Sequence, residues 1–372
     1  MHPEALSVTL VGPLPGERWV SIQRYVEAIL AGQDGFVASE APTLPDLRYT
    51  SVGAFRARYR RLPALLRQIP ATGELVHIAD QALGHLVDCF PQTPTIVTCH
   101  DLMPLTLDGN YPTRFGGWLD SHLLRRSLAA MTHATRIITV SEHTAGDLVR
   151  VLGVARDRIT VVPNILNDAY RPREDAEEWL KARGIVLPAG PRVLSVGHTR
   201  PYKDLERLLI AMGEPALRAA TLVRVGESLT PAQRALAGHH SLDGRLVELG
   251  HREPATLARI YSSCDVLSQQ SRSEGFGVPV IEAMGCGLPV VCSDGGALPE
   301  VAGGAAVVVK AGNANDSGAG ELADALGGIL RDGAVASMLR KQGLARAEAF
   351  RPAAVIPQLT TAYERAIEEH RQ

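Results

Sequence analysis

Short runs rich in Val, Ile, Leu and Thr alternate along this chain with segments whose apolar residues recur at helical spacing. Such alternation predicts an α/β protein, with parallel strands joined by helical crossovers. In the first half the runs are Leu6–Val11, Leu75–Ile78, Thr95–Cys99, Arg136–Val140 and Ile159–Val162. In the second half they are Arg192–Val196, Ala220–Val225, Arg245–Leu249, Cys264–Ser268, Pro289–Cys292 and Ala306–Val309. They are too short for helices and mostly uninterrupted in apolar character, as strands covered on both faces should be. Eleven strands would strain one sheet, and the stretch between Pro163 and Pro191 reads as a break. The pattern therefore predicts two Rossmann-like, doubly wound parallel-sheet domains, residues 1–168 and 169–350. The last segment, 351–372, carries Val355, Leu359, Ala362, Tyr363 and Ile367 at helical spacing, and the pattern assigns it to neither domain.

Composition removes several classes. Of 372 residues, 45% are hydrophobic and 21% charged, which is ordinary for a globular protein and leaves enough apolar mass for two cores. A formal net charge of -2 gives no electrostatic footprint for nucleic acid. The five cysteines, Cys89, Cys99, Cys264, Cys286 and Cys292, are odd in number and form no CxxC. That argues against a disulfide framework or a metal cluster and for a reducing cytoplasm. The N-terminal MHPEALSVTLVG lacks the marks of a secretory leader, and the longest uncharged apolar run, Ala302–Val309, is far short of a membrane span. The expectation is a cytoplasmic protein, peripheral at most to the inner face of the membrane. There is no GxGxxG after the first strand, no GxxxxGK[ST], no GxSxG and no HExxH. Dinucleotide-binding, P-loop, α/β-hydrolase and zincin chemistry all lose ground accordingly.

Ligands of open α/β sheets bind beyond the carboxyl ends of the strands. The residues there are Gly12, His100–Asp101, Ser141 and Asn164 in the first half. In the second they are Gly197 with Arg200 and Lys203, then Gly226, Gly250, Glu274–Glu282 and Asp294–Gly296. If the two sheets face each other, these loops line one central cleft. The most informative stretch is SRSEGFGVPVIEAMGCGLPVVCSDGGALPE, from Ser271. Gly275 and Gly277 after Glu274 allow close backbone approach to a ligand, and Pro279 suits the first position of a helix. Glu282 then falls in the first turn, pointing to the same pocket as Glu274. Two carboxylates there can accept hydrogen bonds from hydroxyls, while free N–H groups at a helix start bind anions. Polyol plus phosphate describes a nucleotide sugar. For Glu282 the plainer reading is a helix-start cap.

The same stretch closely resembles the signature of glycosyltransferase family 4, retaining enzymes of the GT-B fold. Further motifs match in register: TIVTCHDLMPL, THATRIITVSEHTAGDL, GVARDRITVVPN, VLSVGHTRPYKDLERLLIA and ELGHREPATLARIYSSCDV. The resemblance covers residues 75–310 well and the first 70 poorly. It implies that Glu274 holds the hydroxyls of the donor sugar, that the amides of Gly275, Phe276 and Gly277 reach that sugar, and that Glu282 binds the ribose. It implies that Lys203 grips the donor diphosphate and that His100 lies beside the reacting sugar carbon. Plainer readings are a solvated lysine, and a structural histidine with Asp101 as a cap. The family's second basic residue usually adjoins this lysine or the glycine, where this chain has Tyr202 and His198, so Arg200 is its candidate substitute from a shifted position.

On the acceptor side the chain has GPLPGERW after the first strand, where Gly16 and Arg18 either line a site or form a plain turn. Phe55, Tyr59, Leu62, Leu66 and Ile69 recur at helical spacing among arginines, either as a basic membrane-facing surface or as an ordinary packed helix broken at Pro63. The N-terminal half looks most like polysaccharide and lipopolysaccharide mannosyltransferases. The resemblance thus implies a nucleotide-sugar donor, GDP-mannose first, and a glycan or lipid-linked acceptor. No cofactor is expected and no metal, since no two Asp are separated by a single position to make a DxD. A glycoside phosphorylase or hydrolase, or a non-catalytic sugar-nucleotide-binding protein, are the competing readings.

Overall fold

The computed structural model describes residues 5–14, 20–44, 53, 56–68, 73–106, 118–312 and 318–372, with the backbone alone at 20 and 118–121. Phe55, Ile69, Gly16 and Arg18 lie outside the described residues. The chain divides into two compact units, Met1–Ile165 with Pro352–Gln372, and Leu166–Arg351.

The first unit holds β1 (Leu6–Val11), β2 (Phe36–Glu40), β3 (Leu75–Ile78), β4 (Thr95–Cys99), β5 (Arg136–Thr139) and β6 (Ile159–Val161). They form one parallel sheet in the order β2-β1-β3-β4-β5-β6. Successive side chains of a strand point to opposite faces. Val76, Ile78, Val97 and Ile137 accordingly enter one core with Leu83 and Leu128. Leu75, Ile96 and Ile138 enter another with Val355, Ile356, Leu359 and Tyr363 of the terminal helix, Pro352–Arg371. The terminal helix thus belongs to the first unit. Its buried face is the helical-period stripe seen in the sequence, and each large apolar side chain so covered contributes about 1.5–3 kcal/mol. At its far end Glu369 pairs with the buried Arg136.

Strand β2 was not expected from the pattern. Phe36 and Ala38 are buried while Val37 is 53% exposed, so this edge strand is covered on one face only. Its covered side includes Phe36 edge-on to Tyr363, 5.1 Å between ring centroids. The arginine-rich segment also packs inward. Ala57, Arg58, Leu62, Pro63 and Leu66 are buried, and Arg56, Arg60, Arg61 and Arg67 face solvent. A wide π-helical turn, Ala57–Arg61, passes into an α-helical turn, Leu62–Leu66, with Pro63 near its start. Its buried apolar side chains enter the unit's own core beside Leu83 and Leu86.

The second unit holds β7 (Arg192–Gly197), β8 (Thr221–Gly226), β9 (Leu246–Glu248), β10 (Val266–Gln269), β11 (Val290–Ser293) and β12 (Val307–Val309). Its parallel sheet runs β12-β11-β10-β7-β8-β9. Chain order reverses between β7 and β10, so the loops leaving those neighbours diverge and open a crevice. Among the described residues no helix is long and apolar enough to cross a membrane.

Candidate functional site

The crevice between β7 and β10 receives two loops. After β7 the chain turns tightly through Pro201–Lys203 and reaches Asp204 in the left-handed region, φ 49°, before the Leu205–Ala211 helix. After β10 it runs through Ser271 and Arg272 to Glu274. The loops are stitched together: the Arg272 N–H donates to the Tyr202 carbonyl at 2.7 Å, and its guanidinium to Asp204 Oδ1 at 2.6 Å. Asp204 is buried, so this pair fixes one loop against the other.

That stitching brings Lys203 and Glu274 face to face. Lys203 Nζ donates to both carboxylate oxygens, at 2.7 and 3.0 Å. Their side chains are only 14% and 13% exposed, so water screens the pair weakly. Glu274 is braced from behind, where its carbonyl accepts the Ala297 N–H at 2.9 Å. Gly296 has φ 65°, and a Cβ on it would stand 2.3 Å from that carbonyl, so only glycine fits.

Gly277 caps the Val278–Gly285 helix with φ 101°. The helix starts at Val278, so Pro279 is its second residue, not its first, and Glu282 falls in the second turn. This corrects two expectations. Glu282 is not in the first turn; it is buried, and Tyr261 Oη donates to its Oε2 at 2.9 Å. Burial and then the Glu282 charge push the Tyr261 phenol well above its ordinary value, so it stays a donor. Phe276 is buried edge-on to Phe350, ring centroids 5.7 Å apart, which leaves backbone groups as what its segment can offer a ligand.

Arg200 makes no side-chain hydrogen bond or ion pair among the described residues, though its charge bears on His198. His198 Nδ1 lies 3.3 Å from Glu227 Oε1. Burial outweighs that carboxylate, and with the charges of Arg200 and Lys203 it lowers the His198 pKa. A larger open groove of about 550 Å³ along Val307, Asp324 and Arg331 contains none of these residues.

His100 belongs to the first unit, just beyond β4. Its Nε2 lies 2.9 Å from the Ala79 carbonyl, which only accepts, so the neutral ring carries its proton on Nε2. Its backbone N–H donates to Gln81 Oε1 at 3.0 Å. Burial lowers its pKa. Asp101 Oδ1 accepts the Met103 N–H at 3.0 Å, the cap that the plainer reading expected of it. Sequence reasoning missed Asp204, Arg272, Tyr261, Tyr25, His77 and Thr98. Of these His77 left a signal, as a polar residue inside the otherwise apolar run LVHI.

Two family models match the chain, Glycosyltransferase Family 4 over residues 24–170 and Glycosyl transferases group 1 over residues 190–332. It is 27% identical over 262 residues to O-antigen chain mannosyltransferase B of Escherichia coli, 68% of this chain and 66% of that protein. It is 29% identical over 315 residues to D-inositol 3-phosphate glycosyltransferase of Nocardia farcinica, 79% of this chain and 66% of that one. The matches thus span a little under two thirds of both relatives. Among solved structures it is similar to Anabaena HepE in complex with UDP and glucose, with TM-score 0.76, 17% identity, and 96% and 99% of the two chains covered.

Two doubly wound units with these strand orders, and this likeness, define an α/β protein of the GT-B class. Together the family models span most of its length, and the chain belongs to glycosyltransferase family 4.

Proposed function

We propose that this chain is a retaining hexosyltransferase that moves mannose from GDP-mannose onto a hydroxyl of a glycan or lipid-linked acceptor. The observation that carries the reading is the Lys203–Glu274 pair at the β7–β10 crevice. In the free protein the two groups neutralise each other. A nucleotide sugar offers each a separate partner, its diphosphate for the ammonium and its sugar hydroxyls for the carboxylate. As the glycosidic bond breaks, its electron pair goes to the diphosphate, and the growing negative charge is met by Lys203 and by Arg200. The amides of Gly275–Gly277 and the start of the Val278–Gly285 helix add a fixed positive dipole. Glu282, oriented by Tyr261, takes the ribose hydroxyls. His100, with its proton committed to Ala79, offers Nδ1 as an acceptor to the transferred sugar.

These positive groups are permanent parts of the chain, so the leaving group needs no divalent ion. Mannose is favoured by likeness to the Escherichia coli mannosyltransferase. A lipid-linked acceptor would bring the protein to the inner face of the membrane as a peripheral protein.

Thermal shift with GDP, UDP, ADP and their sugars tests the donor, since a ligand that binds the folded state raises its apparent stability. GDP and GDP-mannose are expected to stabilise most. Stabilisation by none of them overturns the reading, and a larger shift with UDP replaces the donor. Turnover in excess EDTA should match turnover with added magnesium. A loss beyond about tenfold, about 1.4 kcal/mol of barrier, would overturn the metal-free mechanism.

A further inference from the structure

In the first unit, His77 lies inside the sheet, fully buried, on a strand flanked by β1 and β4. A buried imidazole is costly unless its nitrogens are hydrogen-bonded. Both are. Nδ1 lies 2.8 Å from Tyr363 Oη on the terminal helix, and Nε2 lies 2.7 Å from Thr98 Oγ1 on β4. Thr98 Oγ1 is in turn 3.1 Å from Tyr25 Oη, on the Val20–Ala31 helix. The two-residue period of the strands explains the line-up. His77 shares a face with Leu75, and Thr98 with Ile96, and that face is the one the terminal helix covers.

The chain of contacts ends at His100. The Tyr25 ring stands edge-on to its imidazole, with centroids 5.1 Å apart and planes at 90°. The Ala79 carbonyl holds one nitrogen of that imidazole, and the Tyr25 ring bounds it from the side. Phenylalanine would fill the same space as Tyr25. What the hydroxyl adds is a tether to Thr98, which sets the depth and rotation of the ring against His100. Burial, aided by His100, lowers the His77 pKa to about 3, so the relay stays uncharged and holds one geometry across the physiological range.

We propose that Tyr25 is a positioning residue for His100, held in place by the relay Tyr363–His77–Thr98, so that the terminal helix sets the orientation of a candidate site residue. The proposal rests on the reading that His100 acts in the transfer.

The test is nuclear magnetic resonance of the full chain with ¹⁵N-labelled histidine, together with GDP release from GDP-mannose. In the native protein His100 should show a single neutral tautomer, protonated on Nε2, across neutral pH. Tyr25→Phe and Thr98→Val should each give His100 a mixture of tautomers and lower kcat at least fivefold, with the KM for GDP-mannose unchanged. Thr98→Ser keeps the hydroxyl and should restore both signals, which a loss of packing would not do. If Thr98→Val does not fold, Tyr25→Phe and Tyr363→Phe carry the same comparison. An unchanged His100 spectrum in the variants that fold overturns the relay. His100→Ala with full turnover overturns the role of His100 instead, and the spectra still decide whether Tyr25 positions its ring.

Discussion

In the second unit the loops leaving β7 and β10 are joined by Lys203–Glu274 and Asp204–Arg272, two pairs of opposite charge. In the first unit the residues around the ends of β3 and β4 are joined through Tyr363, His77, Thr98 and Tyr25, with no ionised group in the line. Both arrangements fix side chains at the ends of parallel strands, but they respond to a ligand differently. A lysine held by a carboxylate can exchange that partner for a phosphate. Much of what was spent in desolvating the ammonium is then recovered in the new pair. A relay of hydroxyls around a neutral imidazole has nothing to exchange, and it preserves an orientation. The first suits groups that must meet a changing charge, the second a group that must not move.

Removing the charge at its centre breaks this contrast most severely. On the proposed reading Lys203→Ala deprives the diphosphate of its ammonium, and in the free protein it leaves the mostly buried Glu274 without this ion pair. Turnover is expected to fall by at least a hundredfold, about 2.7 kcal/mol, with a smaller loss in donor affinity. Lys203→Arg should restore only part, because a planar fork does not replace a compact ammonium. Steady-state kinetics with the donor found by thermal shift checks both, and an active Lys203→Ala would transfer the clamp to Arg200.

Next in size is the brace behind the pair. Asp204→Asn keeps a residue that tolerates the left-handed backbone but removes the charge opposite Arg272. Donor affinity should fall about fivefold by calorimetry, about 1 kcal/mol. Unchanged affinity would mean that the Tyr202–Arg272 backbone contact holds the loops unaided.

The neutral line is read through pH. His77 has a pKa of about 3 in the fold, against 6.5 for a free imidazole. As pH falls below about 6.5 the unfolded chain binds the proton first, so stability declines toward about pH 3 by up to about 1.4 kcal/mol per pH unit. His85, lowered to about 4 mainly by burial, adds a slope of the same sign. Urea midpoints at pH 7 and pH 5 should differ less in His77→Gln than in the native chain. An equal difference would show that His77 takes up its proton while folded.

The smallest effect is a control on charge itself. Lys310 pairs with Asp294 at 2.9 Å, closely resembling Lys203–Glu274 in distance, but its side chain is 85% exposed. Lys310→Gln should leave the melting temperature within error, because water and salt screen an exposed pair. A clear loss would show that charge pairing matters here irrespective of burial.

How much of this was legible follows from the range of the interactions involved. All eleven runs expected as strands contain strands, most of them because a strand buried on both faces writes itself as a local apolar run, while β9 and β12 at the sheet edges are only partly covered. FVASE, half-covered at the sheet edge, left no such run, and the helix that covers it comes more than three hundred residues later. The terminal segment showed its apolar stripe but not its destination, since a stripe specifies burial and not the surface that supplies it. Glu274 and Lys203 were legible as candidates from their motifs. Their meeting was not, for they lie 71 residues apart and touch only because β10 lies beside β7. Glu282 was misplaced by one residue, from the end of the first turn to the start of the second, because the helix start depends on the backbone of Gly277, whose φ of 101° is no property of the spacing. By itself, then, the sequence determined eleven of the twelve strands described, the two-sheet architecture and the motif residues, all set by local pattern. Only the tertiary structure decided the sheet order, the berth of the last helix and the partners of each polar side chain, because those are fixed by contacts between residues far apart in the chain.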